Sequence, residues 1–281
     1  MKLEFTKVSP SGNITILIWS DVPRSEHAKI ANQLMDSTYH LGAEQVGYVE
    51  SSPNPKAIAH LQMMGGEFCG NATRALAFIL VEKKLPNILI NNNIARFYLS
   101  VSGVEEPLKV EVECDHKQNP ISAKVQMPIY HELNSVCQKD DVTLVSLEGI
   151  SHIIVDNGKI PFNQEDYKND FIKLRDDLAL QEQEAVGVMW KTLKKDASIS
   201  MEPVVWVKNT DSYYYETSCG SGTIALALAL AKQQTNTYQE FKIYQPSGKY
   251  ILAIVERDEN HFLNAYIKGE VNMIAEGFCF V

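Results

Sequence analysis

Residues 67–80 read EFCGNATRALAFIL, a cysteine and a glycine set directly before an almost wholly apolar run. Residues 219–230 read CGSGTIALALAL. Aligned without gaps from Cys69 and Cys219, the two twelve-residue segments agree at seven positions, namely cysteine, glycine, threonine, alanine, leucine, alanine and leucine. One copy sits in each half of the chain, so an internal duplication is the first inference. Residues 75–80 and 224–230 leave no polar stripe. A helix that is apolar on every face must be surrounded, so each half is expected to wrap its strands around its own helix.

Working outward, the rest of each half is strand-rich. Residues 1–20 hold two β-type runs, LEFTKV and NITILIWS, broken by the turn Ser9-Pro10-Ser11-Gly12. The helical pattern SEHAKIANQLMDS follows, with Ser25 as its expected N-cap. Strands are then expected at QVGYVES and near residues 57–63, with the motif helix over residues 70–82. Turn and strand follow over residues 84–99, and LKVEVEC alternates like a half-buried strand. The second half repeats the plan with AKVQMPIY, GISHIIVDN, a helical pattern over residues 165–184, VGVMW and MEPVVWV. It ends in the second helix and a hairpin turning at Pro246-Ser247-Gly248. The expected halves are residues 1–119 with 267–281, and residues 120–266, with an active site in the cleft between them.

With 281 residues, 45% hydrophobic and 22% charged, the chain can bury two modest cores. A net charge of −9 argues against a nucleic-acid partner, which calls for a basic face. No run reaches the roughly 18 apolar residues of a membrane span, and no cleavable leader pattern opens the chain. A cytoplasmic enzyme is expected. The five cysteines show no CxxC spacing and the seven histidines no paired spacing, so neither a disulfide framework nor a metal is expected.

A helix N-terminus leaves N–H groups unpaired and carries the positive end of the peptide dipole. Gly70, Gly220 and Gly222 let a bound group approach the backbone closely. Such a mouth holds a small carboxylate and stabilises a thiolate in the same field. Two mouths around one carboxylate suit inversion at the carbon α to it. One thiolate takes the α-proton while the other thiol returns a proton to the opposite face. A lone cysteine before a helix is ordinarily a small core residue. Duplication favours chemistry at Cys69 and Cys219, while Cys114, Cys137 and Cys279 keep the structural reading.

The motifs CGNATR and SCGSGT, the opening FTKVSPSGN and the segment GISHIIVDN resemble the cofactor-independent diaminopimelate epimerase family, across essentially the whole chain. That superfamily also includes proline racemases. The resemblance implies an α/β fold of two pseudo-symmetric domains, each a curled mixed sheet around a central helix. It implies Cys69 and Cys219 as the acid/base pair, with no cofactor. Gly70, Asn71, Gly220 and Ser221 would hold the α-carboxylate, and Asn13 would contact the amino-acid head. His152 and Glu216 would stand beside the cysteines. A homodimer is implied as well.

The departures bear on the substrate. Those epimerases carry a Glu-Arg pair ahead of the second cysteine, whereas this chain reads Tyr214-Tyr215-Glu216-Thr217-Ser218. The family's asparagine before the histidine is Ile150 here. PSGN-x-TIL, ANQLM, EQVGYVE and GGEFCGNAT resemble instead the histidine racemases of opine-metallophore biosynthesis. By that resemblance Glu44 would accept a hydrogen bond from the substrate imidazole. Each residue also has a plainer reading: Glu44 as a solvated surface acid, His152 as a satisfied core histidine, Asn13 as a turn residue. Another racemase substrate (diaminopimelate or proline), a thiol redox protein and a binding module remain the rival functions.

Overall fold

The computed structural model describes residues 1–208 and 211–281. The chain folds as two units, Met1–Gln126 with Lys268–Val281, and Met127–Ile267. The first unit extends past the expected boundary because strand Pro120–Gln126 pairs antiparallel with Leu108–Cys114. The chain returns to the first unit within its last strand, Phe262–Phe280.

Both units follow one plan. In the first, Lys2–Pro10 and Thr15–Ile18 form an antiparallel pair. Helix α1, His27–Met35, then crosses over to Gln45–Glu50, which lies parallel to Thr15–Ile18. His60–Met63 returns antiparallel. Helix α2, Gly70–Glu82, makes a second crossover to Ile94–Val101, parallel to His60–Met63. In the second unit, Val142–Leu147 and Ile150–Asp156 pair antiparallel, and helix α3, Tyr167–Asp177, leads to the parallel strand Ala185–Leu193. Ile199–Val207 returns antiparallel, and helix α4, Gly220–Lys232, leads to Tyr238–Tyr244, parallel to it. Parallel strands need such crossovers. The two motif helices are the second crossover of their units.

The first unit's sheet curls back on itself. Lys2–Pro10 pairs along Val271 to Phe280 of the last strand, and the last strand also pairs with Pro120–Gln126. Inside lies α2, with residues 70–81 all buried. In α4 residues 222–229 are all buried. The apolar pattern thus does what it predicts, and the burial reaches the N-terminal residues Gly70, Asn71 and Gly220 as well.

Local details differ from the sequence reading. A 3-10 turn, Arg24–Glu26, precedes α1, so Glu26 rather than Ser25 is the cap, with no side-chain capping bond. The helix buries His27, Ile30, Ala31 and Leu34, the spacing of one helical face. Tertiary burial, not capping, places it. Helix α3 is shorter than the pattern over 165–184, ending before Leu178.

Leu226 is fully buried in α4. Truncation to alanine there is expected to cost about 2–5 kcal/mol of unfolding free energy, read from the urea midpoint at unchanged slope.

Candidate active site

Cys69 and Cys219 occupy matching places, each the N-cap of its buried helix in extended conformation (φ −135°, ψ 110° and φ −116°, ψ 112°). Each sulfur accepts an N–H three residues on, Ala72 at 3.4 Å and Gly222 at 3.3 Å. Each cysteine carbonyl receives the hydroxyl of the repeated threonine, Thr73 at 2.7 Å and Thr223 at 2.6 Å. This explains why threonine is among the repeated residues: it ties the first turn to the cap. The remaining first-turn positions, Gly70 and Asn71 in one motif and Gly220 and Ser221 in the other, carry N–H groups with no acceptor inside the helix.

The surroundings of the two sulfurs differ sharply. Cys219 is 2% exposed, and its thiol donates to the Glu216 carboxylate. Burial pushes this thiol well above its ordinary value, the Glu216 charge pushes it further, and contacts from Ser221 and Gly222 oppose the shift only in part. Ser221 Oγ lies 3.6 Å from the sulfur. At neutral pH Cys219 therefore carries its proton. Gln245 braces this cap, accepting the Cys219 N–H at 3.1 Å and donating to Thr223 Oγ1 at 3.1 Å.

Around Cys69 the charge has the opposite sign. Arg74, one turn further along α2, is completely buried. Its guanidinium donates to Asn71 Oδ1 at 2.7 Å and Ser11 Oγ at 3.3 Å. Burial lowers its pKa to about 10, against the opposing pull of Cys69, so it stays charged at neutral pH. A buried cation favours negative charge close by, and Cys69 is the group whose charge works against the lowering of the Arg74 pKa. Cys69 Sγ also donates to Gln45 Oε1 at 2.9 Å. Gln45 Nε2 donates in turn to Asn13 Oδ1 and to Thr15 Oγ1, the latter at 2.8 Å. Asn13 Nδ2 reaches Glu44 Oε2 at 3.1 Å.

The expected residues thus fall into two groups, each within one unit. Asn13, Glu44 and Asn71 gather about Cys69; Glu216 and Ser221 gather about Cys219. Glu44 is not a purely solvated acid, since it accepts from Asn13 and from the Ile14 N–H. His152 is fully buried, and neither ring nitrogen has a hydrogen-bond partner among the described residues. It is not a satisfied core histidine.

Packing ties His152 towards Cys219 through Met189. A Cβ on Gly187 would fall 2.2 Å from His152 Nδ1 and 2.7 Å from Met189 Cε. A Cβ on Gly222 would fall 2.2 Å from Met189 Sδ and 3.1 Å from Cys219 Sγ. The two glycines leave the volume that His152 and the Met189 thioether fill. Gln45, Arg74, Thr15, Gln245 and Met189 are missed by sequence reading. Arg74 alone carries a signal, a charge inside an otherwise apolar helix. Among the described residues no cluster of three or more His, Cys, Asp or Glu is placed to hold a metal ion, and no helix is long and apolar enough to cross a membrane. The five cysteines are all unbridged.

Comparison with known proteins adds to this geometry. The family model described as the histidine racemase CntK N-terminal domain matches residues 2–280. A histidine racemase of Fusobacterium nucleatum subsp. nucleatum is 36% identical over 282 residues, covering 99% of this chain and 97% of that protein. A histidine racemase of Staphylococcus aureus is 30% identical over 286 residues, covering 99% and 98%. Among solved structures, a hydroxyproline epimerase from Agrobacterium vitis superposes with a TM-score of 0.72 at 12% identity, covering 99% of this chain and 92% of that one. A PhzF-family phenazine biosynthesis protein of Bacillus anthracis gives 0.67 at 11% identity, with both chains fully covered. At such identities these two likenesses establish the fold.

Two predictions follow from the burial of the second group. Replacing Glu216 with glutamine removes the charge that holds the Cys219 proton. The thiolate ultraviolet absorbance lost in a Cys219→Ser control is expected to develop at lower pH in Glu216→Gln than in the parent. His152 has its pKa lowered by burial from 6.5 to about 3. The unfolded chain therefore takes up this proton first, so the stabilisation is complete above pH 6.5 and is lost as pH falls towards 3. Between about pH 7 and 5 the urea-derived stability should drop by roughly 2 kcal/mol on this account, and a His152→Phe variant should lack that part of the slope.

Proposed function

The chain belongs to the histidine racemase family, and from that premise we propose that it interconverts L- and D-histidine by two-base chemistry at Cys69 and Cys219. The observation that carries the proposal is the opposed environment of two matching cysteines. Glu216 and burial keep Cys219 protonated, and the buried Arg74 favours negative charge at Cys69. A pair that inverts a stereocentre must start as one thiol and one thiolate, acting on opposite faces of the α-carbon.

On this reading the N–H groups of Gly70, Asn71, Gly220 and Ser221 bind the α-carboxylate, and Asn13 orients the amino-acid head. Removing a proton from an amino-acid α-carbon spreads negative charge onto that carboxylate. Fixed N–H donors meet the charge without reorganising. Cys69 as thiolate takes the α-proton from one enantiomer, and Cys219 as thiol donates to the other face. For the reverse reaction the roles exchange. Every proton taken by one sulfur is matched by one given by the other, so no cofactor is required. His152, neutral and buried, and Glu216 tune the Cys219 side.

Substrate choice rests on the Glu44 side of the site. The Ser212–Tyr215 strand and the residues after it bring no arginine to clasp a second carboxylate. Glu44 provides an acceptor suited to an imidazole N–H, which is partly cationic near neutral pH. We assign a cytoplasmic setting, consistent with five unbridged cysteines, and a homodimeric assembly by analogy with related epimerases.

Proton NMR of amino acids incubated with the reduced protein in D2O tests this reading. The Cα–H signal of histidine should disappear as D-histidine forms, with diaminopimelate and proline unchanged. Cys69→Ala and Cys219→Ala should each lose at least about 10²–10⁴ of the rate. Exchange with diaminopimelate or proline in place of histidine would overturn the substrate, and full activity in either variant would overturn the mechanism.

A further inference from the structure

Glu44, Asn13, Gln45 and Cys69 lie on one chain of hydrogen bonds whose polarity is fixed at its far end. A carboxylate only accepts. Glu44 Oε1 takes the Ile14 N–H at 3.1 Å, and the contact at Oε2, 3.1 Å long, must be donated by Asn13 Nδ2. That turns Asn13 Oδ1 towards Gln45, which must then present Nε2 to it. The same Nε2 donates to Thr15 Oγ1 at 2.8 Å. Only Gln45 Oε1 is left for the sulfur, 2.9 Å away. A carbonyl oxygen accepts from a thiol and repels a thiolate, so this orientation favours the protonated form.

We propose that Glu44, Asn13 and Gln45 form a positioning relay that holds the Cys69 proton until a bound ligand gives Glu44 a hydrogen-bond donor. The inference rests on the assignment of Cys69 as an acid/base group and concerns how that group is switched. A ligand N–H seated between Glu44 and Asn13 would take the place of Asn13 Nδ2 at Glu44 Oε2 and give Asn13 Oδ1 a donor as well. Both amides can then reverse. Asn13 Nδ2 donates to Gln45 Oε1, and Gln45 Nε2 turns to the sulfur, where it stabilises the thiolate. The Thr15 hydroxyl keeps its hydrogen on Asn13 O, to which it donates at 3.3 Å, so it accepts from Gln45 Nε2 and anchors only the resting orientation.

No bond to carbon or sulfur changes in this reversal. The proton released when Cys69 ionises passes to solvent before turnover. Of the charged groups, Arg74 from α2 bears on Cys69, and the Glu44 carboxylate stands at the end of the relay. Arg74 favours the thiolate in either amide orientation, so it does not distinguish the two relay states. Recognition of the substrate side chain would in this way arm the base, and a ligand that lacks a donor at that place would leave Cys69 a thiol.

The test is the rate of Cys69 alkylation by iodoacetamide in the full chain without substrate, followed against pH by peptide mass spectrometry. Glu44→Gln supplies a side-chain N–H where a ligand would, and should raise the rate near pH 7 about tenfold, one pH unit in the profile. Thr15→Val changes no charge, only the anchor on Gln45 Nε2, and should raise it by at least about twofold. Adding Glu44→Gln to Gln45→Met, which has no amide to reverse, should change nothing further. An equal acceleration by Glu44→Gln with and without Gln45 would reduce the effect to bare charge and overturn the relay. So would a Thr15→Val rate identical to the parent, which decides the matter alone if Gln45→Met does not fold. These rates need no turnover, so failure of histidine exchange and failure of the relay are separate outcomes.

Discussion

Everything at the site depends on one constraint: a helix with no polar face must be enclosed on all sides. Its N-terminal N–H groups have no acceptor inside the helix, so a buried crossover helix gathers backbone donors at one mouth. Cysteine as the capping residue adds a sulfur to that mouth, held by the N–H three residues on at 3.3–3.4 Å in both copies. The repeated threonine locks the cap from the other side.

The backbone duplication is close, and the side chains around it are not. Arg74 in α2 corresponds to Ile224 in α4, so one mouth has a buried cation and the other an apolar residue. Glu216 stands before Cys219, and Glu67 stands before Cys69. Only the former is hydrogen-bonded to its neighbouring sulfur through its side chain among the described interactions. The two sulfurs thus stand in matching backbone positions and in unlike surroundings, the combination that the proposed proton-in, proton-out pair calls for. Met189 serves the same end by packing against the Cys219 mouth and keeping it dry, since a dry thiol resists ionisation.

How much of this is legible in the sequence depends on range. The two motif helices are fully legible, because apolar pattern and repeat agree, and α2 spans the expected residues 70–82. Most strands are legible from alternation. The cap of α1 is not, because Ser25 is a good capping residue whose preference is overridden by the packing of Ile30 and Leu34. Resemblance singles out the cysteines, Asn13, Glu44 and Glu216, and the structure puts Asn13 and Glu44 on the hydrogen-bond chain to Cys69 and Glu216 on Cys219. Gln45 is not, although it adjoins Glu44, because its role lies in the direction of its amide. That direction is set by Asn13 and Thr15, some thirty residues earlier. A one-dimensional pattern carries no information about which end of an amide faces a sulfur.

The proposed reaction puts a limit on what such asymmetry can accomplish. Mirror-image substrates have equal free energy, so kcat/KM is the same in both directions however the two sulfurs are tuned. The differences between the mouths cannot favour one enantiomer at equilibrium. They can set which form of the free enzyme predominates, and therefore how kcat and KM are divided between the two directions. A buried arginine that stabilises one thiolate and a carboxylate that holds the other thiol both bias the free enzyme towards the same form. An amide relay that opposes the arginine until a ligand arrives counters that bias. Forces that oppose one another at Cys69 would suit a group that, on the proposed mechanism, is a base in one direction and an acid in the other.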